Sequence, residues 1–247
     1  MSVRRQTSDP VADFRANVDA AAAVARKLST SAFNRPVHSR ISSAADLDRT
    51  SLVLAESLKT SDAFESFIES VVRGEREHVR MVMVSPNNQG ERMDLTRLFD
   101  AMYSGKLRNL TSLQINGFYF SPISHTQAMR LGWALEDRST LTDLAMIKVG
   151  LNSAVLNEFI GNCQHLQTLN LSANPIDDSG ARAIAAQLGK MRRLESLLLG
   201  STNVTNDGFE ELKTAAEATD NLLYLSLQRS AVTKDPKVWS RMSRTGA

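Results

Sequence analysis

The side chains best placed for covalent chemistry in this 247-residue chain are Cys163 and His165, two positions apart. A thiol beside an imidazole can be drawn into its thiolate form and act as a nucleophile. Their setting points the other way. They fall in a stretch that returns from a helix to a strand, where a small apolar side chain is normally packed, and free cysteine is among the most buried residue types. Catalysis through Cys163 is therefore a remote reading. The other histidines, His38, His78 and His125, are too scattered for a His-Glu-x-x-His metal site. No Gly-x-x-x-x-Gly-Lys phosphate cradle and no Gly-x-Ser-x-Gly elbow occurs. Cys163 is the single cysteine, so neither an intrachain disulfide nor a thiolate zinc site can form. Trp133 reads as helix packing rather than a ligand platform. The expectation is a non-enzyme with no catalytic residue, cofactor or metal.

What positions these residues is a repeat. Apolar side chains at a fixed pattern occur at Leu166, Leu169, Leu171 and Ile176, with Asn174 between the last two. The pattern recurs at Leu194, Leu197, Leu199, Thr202 and Val204, and at Leu222, Leu225, Leu227, Ser230 and Val232, in steps of 28 residues. Upstream it is met by Leu141, Leu144, Met146, Val149 and Leu151, then by Leu110, Leu113, Ile115, Phe118 and Phe120. A weaker sixth match is Val79, Val82, Val84, Asn87 and Gln89. Alternation at the fourth and sixth positions makes each start a short strand with two side chains pointing inward. Helical segments follow: Met93–Tyr103, Ala128–Leu135, Ala154–Ile160, Asp178–Leu188 and Asn206–Ala216. Asp178 is a capping-type residue, and Ala181, Ile184, Ala185 and Leu188 share one face. Gly180 and Gly208 sit at equivalent places, 28 apart. A single unit cannot bury its apolar face, so neighbours must stack.

This template resembles the leucine-rich repeats of the ribonuclease-inhibitor-like family, over about residues 79–233. The resemblance implies an α/β right-handed solenoid, a horseshoe segment with a parallel inner sheet and outer helices. It also implies that Asn174 hydrogen-bonds the turn leaving its strand. Caps are expected where the stack ends. Phe64, Phe67, Ile68, Val71 and Val72 make 61–73 an amino-terminal cap helix, with a shorter helix over Ser51–Leu58, so that 51–78 forms a helical cap. Residues 234–247 read as a carboxy-terminal cap and basic tail, with Trp239 and Met242 over the last repeat and Arg241 and Arg244 in solvent.

Residues 1–50 are a basic, Ser/Ala-rich leader, read as partly disordered or as a helical arm carrying Val11, Phe14, Val18, Ala22, Ala25 and Leu28 on one stripe. The leader and the tail are each about +3 and the body about −4, within a formal net charge of +2. Basic ends on a mildly acidic body are not the clustered cationic face of a nucleic-acid binder. No stretch approaches the ~18 apolar residues of a membrane span. Residues 1–10 lack a secretory apolar core, and Asp9, Asp13 and Asp19 count against a mitochondrial presequence. The expected compartment is cytoplasmic; a cytoskeletal or ciliary assembly, the mitochondrion and secretion as an effector are the alternatives.

On the template, the third, fifth and seventh positions leave the strand on the concave side. They form a row of eighteen side chains from Met81 to Gln228, of which Asp143 alone is charged. The residues expected to bind a partner are Met81, Met83, Gln114, Asn116, Asp143, Ile147, Asn170, Leu198, Tyr224 and Gln228. Adaptable methionine and anchoring tyrosine suit protein interfaces. The expected partner is another protein, with the chain itself monomeric, as an adaptor, scaffold or fixed component of an assembly. Because Ran GTPase-activating proteins and some secreted bacterial effectors are built from similar repeats, GTPase regulation and targeting of a host protein are the other functions that the resemblance implies.

Overall fold

In the computed structural model the chain divides into two units, Met1–Ser51 and Leu52–Ala247. The described residues are 55–86, 93–117, 122–136, 138–233 and 238–240, all in the second unit. The expectations for the leader, for Asn87, Gln89, Phe118 and Phe120, and for Arg241, Met242 and Arg244 lie outside them.

Strands and helices alternate along the described chain: β1 (Ala55–Leu58), α1 (Ser61–Val72), β2 (Met81–Val84), α2 (Leu95–Tyr103), β3 (Ser112–Asn116), α3 (His125–Glu136), β4 (Asp143–Ile147), α4 (Ser153–Leu156), β5 (Thr168–Asn170), α5 (Asp178–Leu188), β6 (Ser196–Leu198), α6 (Asn206–Glu217), β7 (Tyr224–Ser226) and β8 (Val238–Ser240). The eight strands lie in one sheet in sequence order. β1 to β7 pair parallel, while β8 runs antiparallel to β7 and sets Trp239 opposite Leu225. This is an α/β repeat fold. Among the described residues, the apolar template positions from Val79 to Val232 are buried, and they join α1 to α6 in a single core. No helix among the described residues is long and apolar enough to cross a membrane.

Two expected helices change. Residues 55–58 form β1, not a helix, so a strand of the sheet precedes the cap helix. Register sets Glu56 beside inward Val82, and the polar side chain is accommodated by Arg76, whose Nη1 donates to Glu56 Oε1 at 2.8 Å and whose Nε donates to Ser70 Oγ at 2.8 Å. The helix expected over Ala154–Ile160 shrinks to the single turn α4 and a 3-10 turn at Ile160–Asn162. That repeat is also the shortest of the complete ones, with 25 residues between Leu141 and Leu166.

Neighbouring units are clamped at both helix ends. Side chains at Thr60, Asp94, Asn152, Asp177 and Thr205 cap α1, α2, α4, α5 and α6 by accepting backbone N–H donors. The cap of α5 is Asp177, one residue before the expected Asp178. These caps also reach the previous unit: Ser153 Oγ donates to Asp177 Oδ1 at 2.7 Å, and Thr205 Oγ1 donates to Asp178 Oδ2 at 2.6 Å. The hydroxyls of Ser179 and then Ser153 hold the Asp177 carboxyl down at about 2. Packing here leaves no room for a side chain at Gly208, where a Cβ would come 2.4 Å from Asp178 Oδ1. At the other helix end, Asn109 Nδ2 donates to Glu77 O at 2.7 Å and Asn221 Nδ2 to Leu194 O at 2.7 Å.

Candidate functional site

A left-handed residue marks the turn leaving each of β3 to β7. At the eighth template position, Gly117, Lys148, Ala173, Ser201 and Arg229 all have φ between 56° and 80°. Four of these are not glycine, and a left-handed residue with a Cβ is disfavoured by roughly 1 kcal/mol or more. Repeat-to-repeat bonds hold the conformation: Ala173 N donates to Gly200 O and Ser201 N to Gln228 O, each at 2.8 Å. Asn174 adds side-chain bonds to two units. Its Oδ1 accepts from Val149 N at 3.0 Å and Leu151 N at 3.1 Å in the preceding unit. Its Nδ2 donates to Leu171 O at 2.9 Å and to Met146 O at 2.6 Å. The asparagine thus serves two turns, its own and its neighbour's. Thr202 and Ser230, which replace it, donate within their own turns, to Leu199 O at 2.8 Å and Leu227 O at 2.6 Å.

With the turns stacked, register lines up the side chains on the sheet face away from the core. One row runs Met81, Ser112, Asp143, Thr168, Ser196, Tyr224, and the next runs Met83, Gln114, Ala145, Asn170, Leu198, Ser226. Asn116 stands beside Ile147. Nine of the ten residues singled out from the sequence take these register positions, and Gln228 lies two residues beyond the end of β7. Met81, Met83, Gln114, Asn116, Asp143, Ile147, Leu198 and Tyr224 are half-buried and Gln228 is exposed. Asn170 differs: it is buried, with Oδ1 accepting from Ser172 N at 3.0 Å, so it shapes the face from below. β1 extends the face by one strand, placing exposed Ser57 beside Met83. The single charge, Asp143, accepts from Thr142 Oγ1 at 2.7 Å. Asn116 Oδ1 and Ser196 Oγ are enclosed with no protein hydrogen-bond partner among the described residues.

A family model for the leucine rich repeat matches residues 162–185. That stretch holds β5, its asparagine turn and most of α5, the unit in which the template is met in full. Comparison with curated proteins finds no match. Among solved structures the chain is similar to a protein from Bacteroides fragilis, a Northeast Structural Genomics Consortium target, at 14% identity over 95% of this chain and 87% of that one, with a TM-score of 0.37.

The helical side is organised differently. Arg97 pairs with Glu65, Arg130 with Asp100, and Arg182 with Glu211 at 3.2 Å, each link joining neighbouring helices. Cys163 is buried, its Sγ 3.6 Å from Phe159 O, and burial pushes its thiol up to about 12. A thiol in that state is neutral at physiological pH, which leaves the Cys163 and His165 pair without a nucleophile. No group of His, Cys, Asp and Glu among the described residues could hold a metal ion. Sequence reasoning placed Trp133 in packing, but it is 44% exposed and lies against Tyr103, ring centroids 6.1 Å apart. The two residues are 30 apart, close to the upstream repeat spacing, and that spacing was the available signal.

Proposed function

We propose that the chain is a non-enzymatic protein-interaction module, an adaptor or scaffold component, that binds its partner on the open face of the sheet. In this reading that face is the concave side of a right-handed solenoid. The observation that carries it is the contrast between the two sides. On the helical side three ion pairs join neighbouring helices, whereas on the sheet face Met81, Met83, Ile147, Leu198 and Tyr224 present half-buried apolar surface in a row with one charge. Apolar centre, polar surround and depleted charge are the anatomy of a protein interface.

Leu198→Glu tests this reading. Leu198 faces outward between the core residues Leu197 and Leu199. A carboxylate there must be desolvated on binding with no cation opposite, so affinity for a partner recovered by native purification should fall a hundredfold or more, about 3 kcal/mol. The melting temperature should not change. Ala186→Lys, on the exposed side of α5, is the matched control and should leave binding intact. Retention of the partner by Leu198→Glu, with loss on removal of residues 1–50, would move the site to the leader.

A further inference from the structure

The outer face of the helices carries a second feature, independent of the sheet. Tyr103, ending α2, is 64% exposed, and Trp133 of α3 lies beside it with the rings inclined at 47°. They form one wall of a groove of about 360 Å³, completed by Met102, Arg108, Glu136 and Arg138. The cations here are not neutralised in the way that those of neighbouring helices are. The Arg138 guanidinium donates to the carbonyl oxygens of Met102, Lys106 and Leu107, the last two at 2.7 and 2.8 Å, and this fixes it as a positive cap on the end of α2. No described carboxylate pairs with it, and burial draws its pKa down to about 10. Arg108 is exposed and likewise forms no ion pair among the described residues. Glu136, on the last turn of α3, is the one carboxylate in the lining; Asp137 lies outside the described residues.

Two exposed, mutually inclined aromatic rings supply an apolar seat, and Tyr, Trp and Arg are the residues that most often anchor interfaces. Among the described lining residues two arginines stand against one carboxylate, and that balance favours an acidic arrival. We propose that this groove docks an acidic linear segment of a partner protein, with one large apolar side chain against Tyr103 and Trp133 and flanking carboxylates on Arg108 and Arg138. The segment is held by apolar contact and oriented by charge.

The chain has two tryptophans, and since Trp239 is buried, Trp133 is the one whose emission a groove ligand alters. The full chain is titrated with three short synthetic peptides: a phenylalanine flanked by glutamates, the same phenylalanine flanked by lysines, and the glutamate peptide with alanine for phenylalanine. The glutamate–phenylalanine peptide should give a saturable change in emission, and the other two should not. Arg108→Glu and Tyr103→Ser, both at exposed positions, should keep the melting temperature and weaken that peptide by about tenfold or more. Leu198→Glu should leave the titration unchanged. An unsaturable response, equal or tighter binding of the lysine peptide, indifference to Arg108→Glu, or sensitivity to Leu198→Glu would each overturn the proposal.

Discussion

Asn174→Ala should lower the unfolding free energy by roughly 3–5 kcal/mol, an unusually large cost for removing one small polar side chain. The magnitude comes from what is left behind. Asn174 is 2% exposed, and its loss strands the backbone N–H groups of Val149 and Leu151 together with the carbonyls of Leu171 and Met146. Each buried group without a partner costs ~1–3 kcal/mol. The turns of two successive units would also lose the support that holds Lys148 and Ala173 in the left-handed region. Thr202→Ala removes a single bond, to Leu199 O, and should cost only about 1 kcal/mol. Urea unfolding of both variants measures the difference. Equal and small losses would show that the asparagine does not bridge the units.

Leu197→Ala should cost ~2–5 kcal/mol, while Leu198→Ala next to it should cost less than about 1 kcal/mol. Leu197 is wholly buried and lies between Leu169 and Leu225 in the register of three consecutive strands. Truncating it opens a cavity shared by adjacent units, and in a stack whose stability comes from neighbour contacts that loss is felt on both sides. Leu198 faces out from the same strand and gives up only half-buried surface. Reversed costs in thermal or urea melts would mean that the faces of β6 are exchanged.

The repeat was legible because its signal is periodic and apolar. Leu166, Leu169 and Leu171, and their counterparts 28 and 56 residues on, announce strands that must stack, and the buried core follows them. Where the apolar period fails, so does the reading. Ala-Glu-Ser-Leu of β1 holds good helix formers and puts Glu56 where a core side chain should stand, so nothing local marks it as a strand. It is sheet because β2 offers its edge and Arg76 supplies the charge. β8 is hidden for a similar reason. The three residues Val-Trp-Ser carry no repeat, and their antiparallel pairing comes from the partner strand.

The face was legible as a row but not as a surface. Template counting puts Asn170 among the outward residues, yet its side chain is buried, with Oδ1 taken up by Ser172 N in its own turn. Hydrogen bonds between units leave no local mark at all. Asn174 was expected to serve its own strand's turn, and the partners that matter most to stability are 23 and 25 residues earlier. The same holds for the Tyr103 and Trp133 pair, which becomes a groove wall only when α2 and α3 lie side by side.

Hydroxyl-radical footprinting of the chain, alone and bound to a purified partner, tests the central claim most directly. Met81, Met83 and Tyr224 are readily oxidised side chains spread along the open face, each partly exposed when the chain is alone. Binding on that face should reduce their labelling several-fold in the complex. Unchanged labelling at all three, in a complex shown to be intact, would contradict the account.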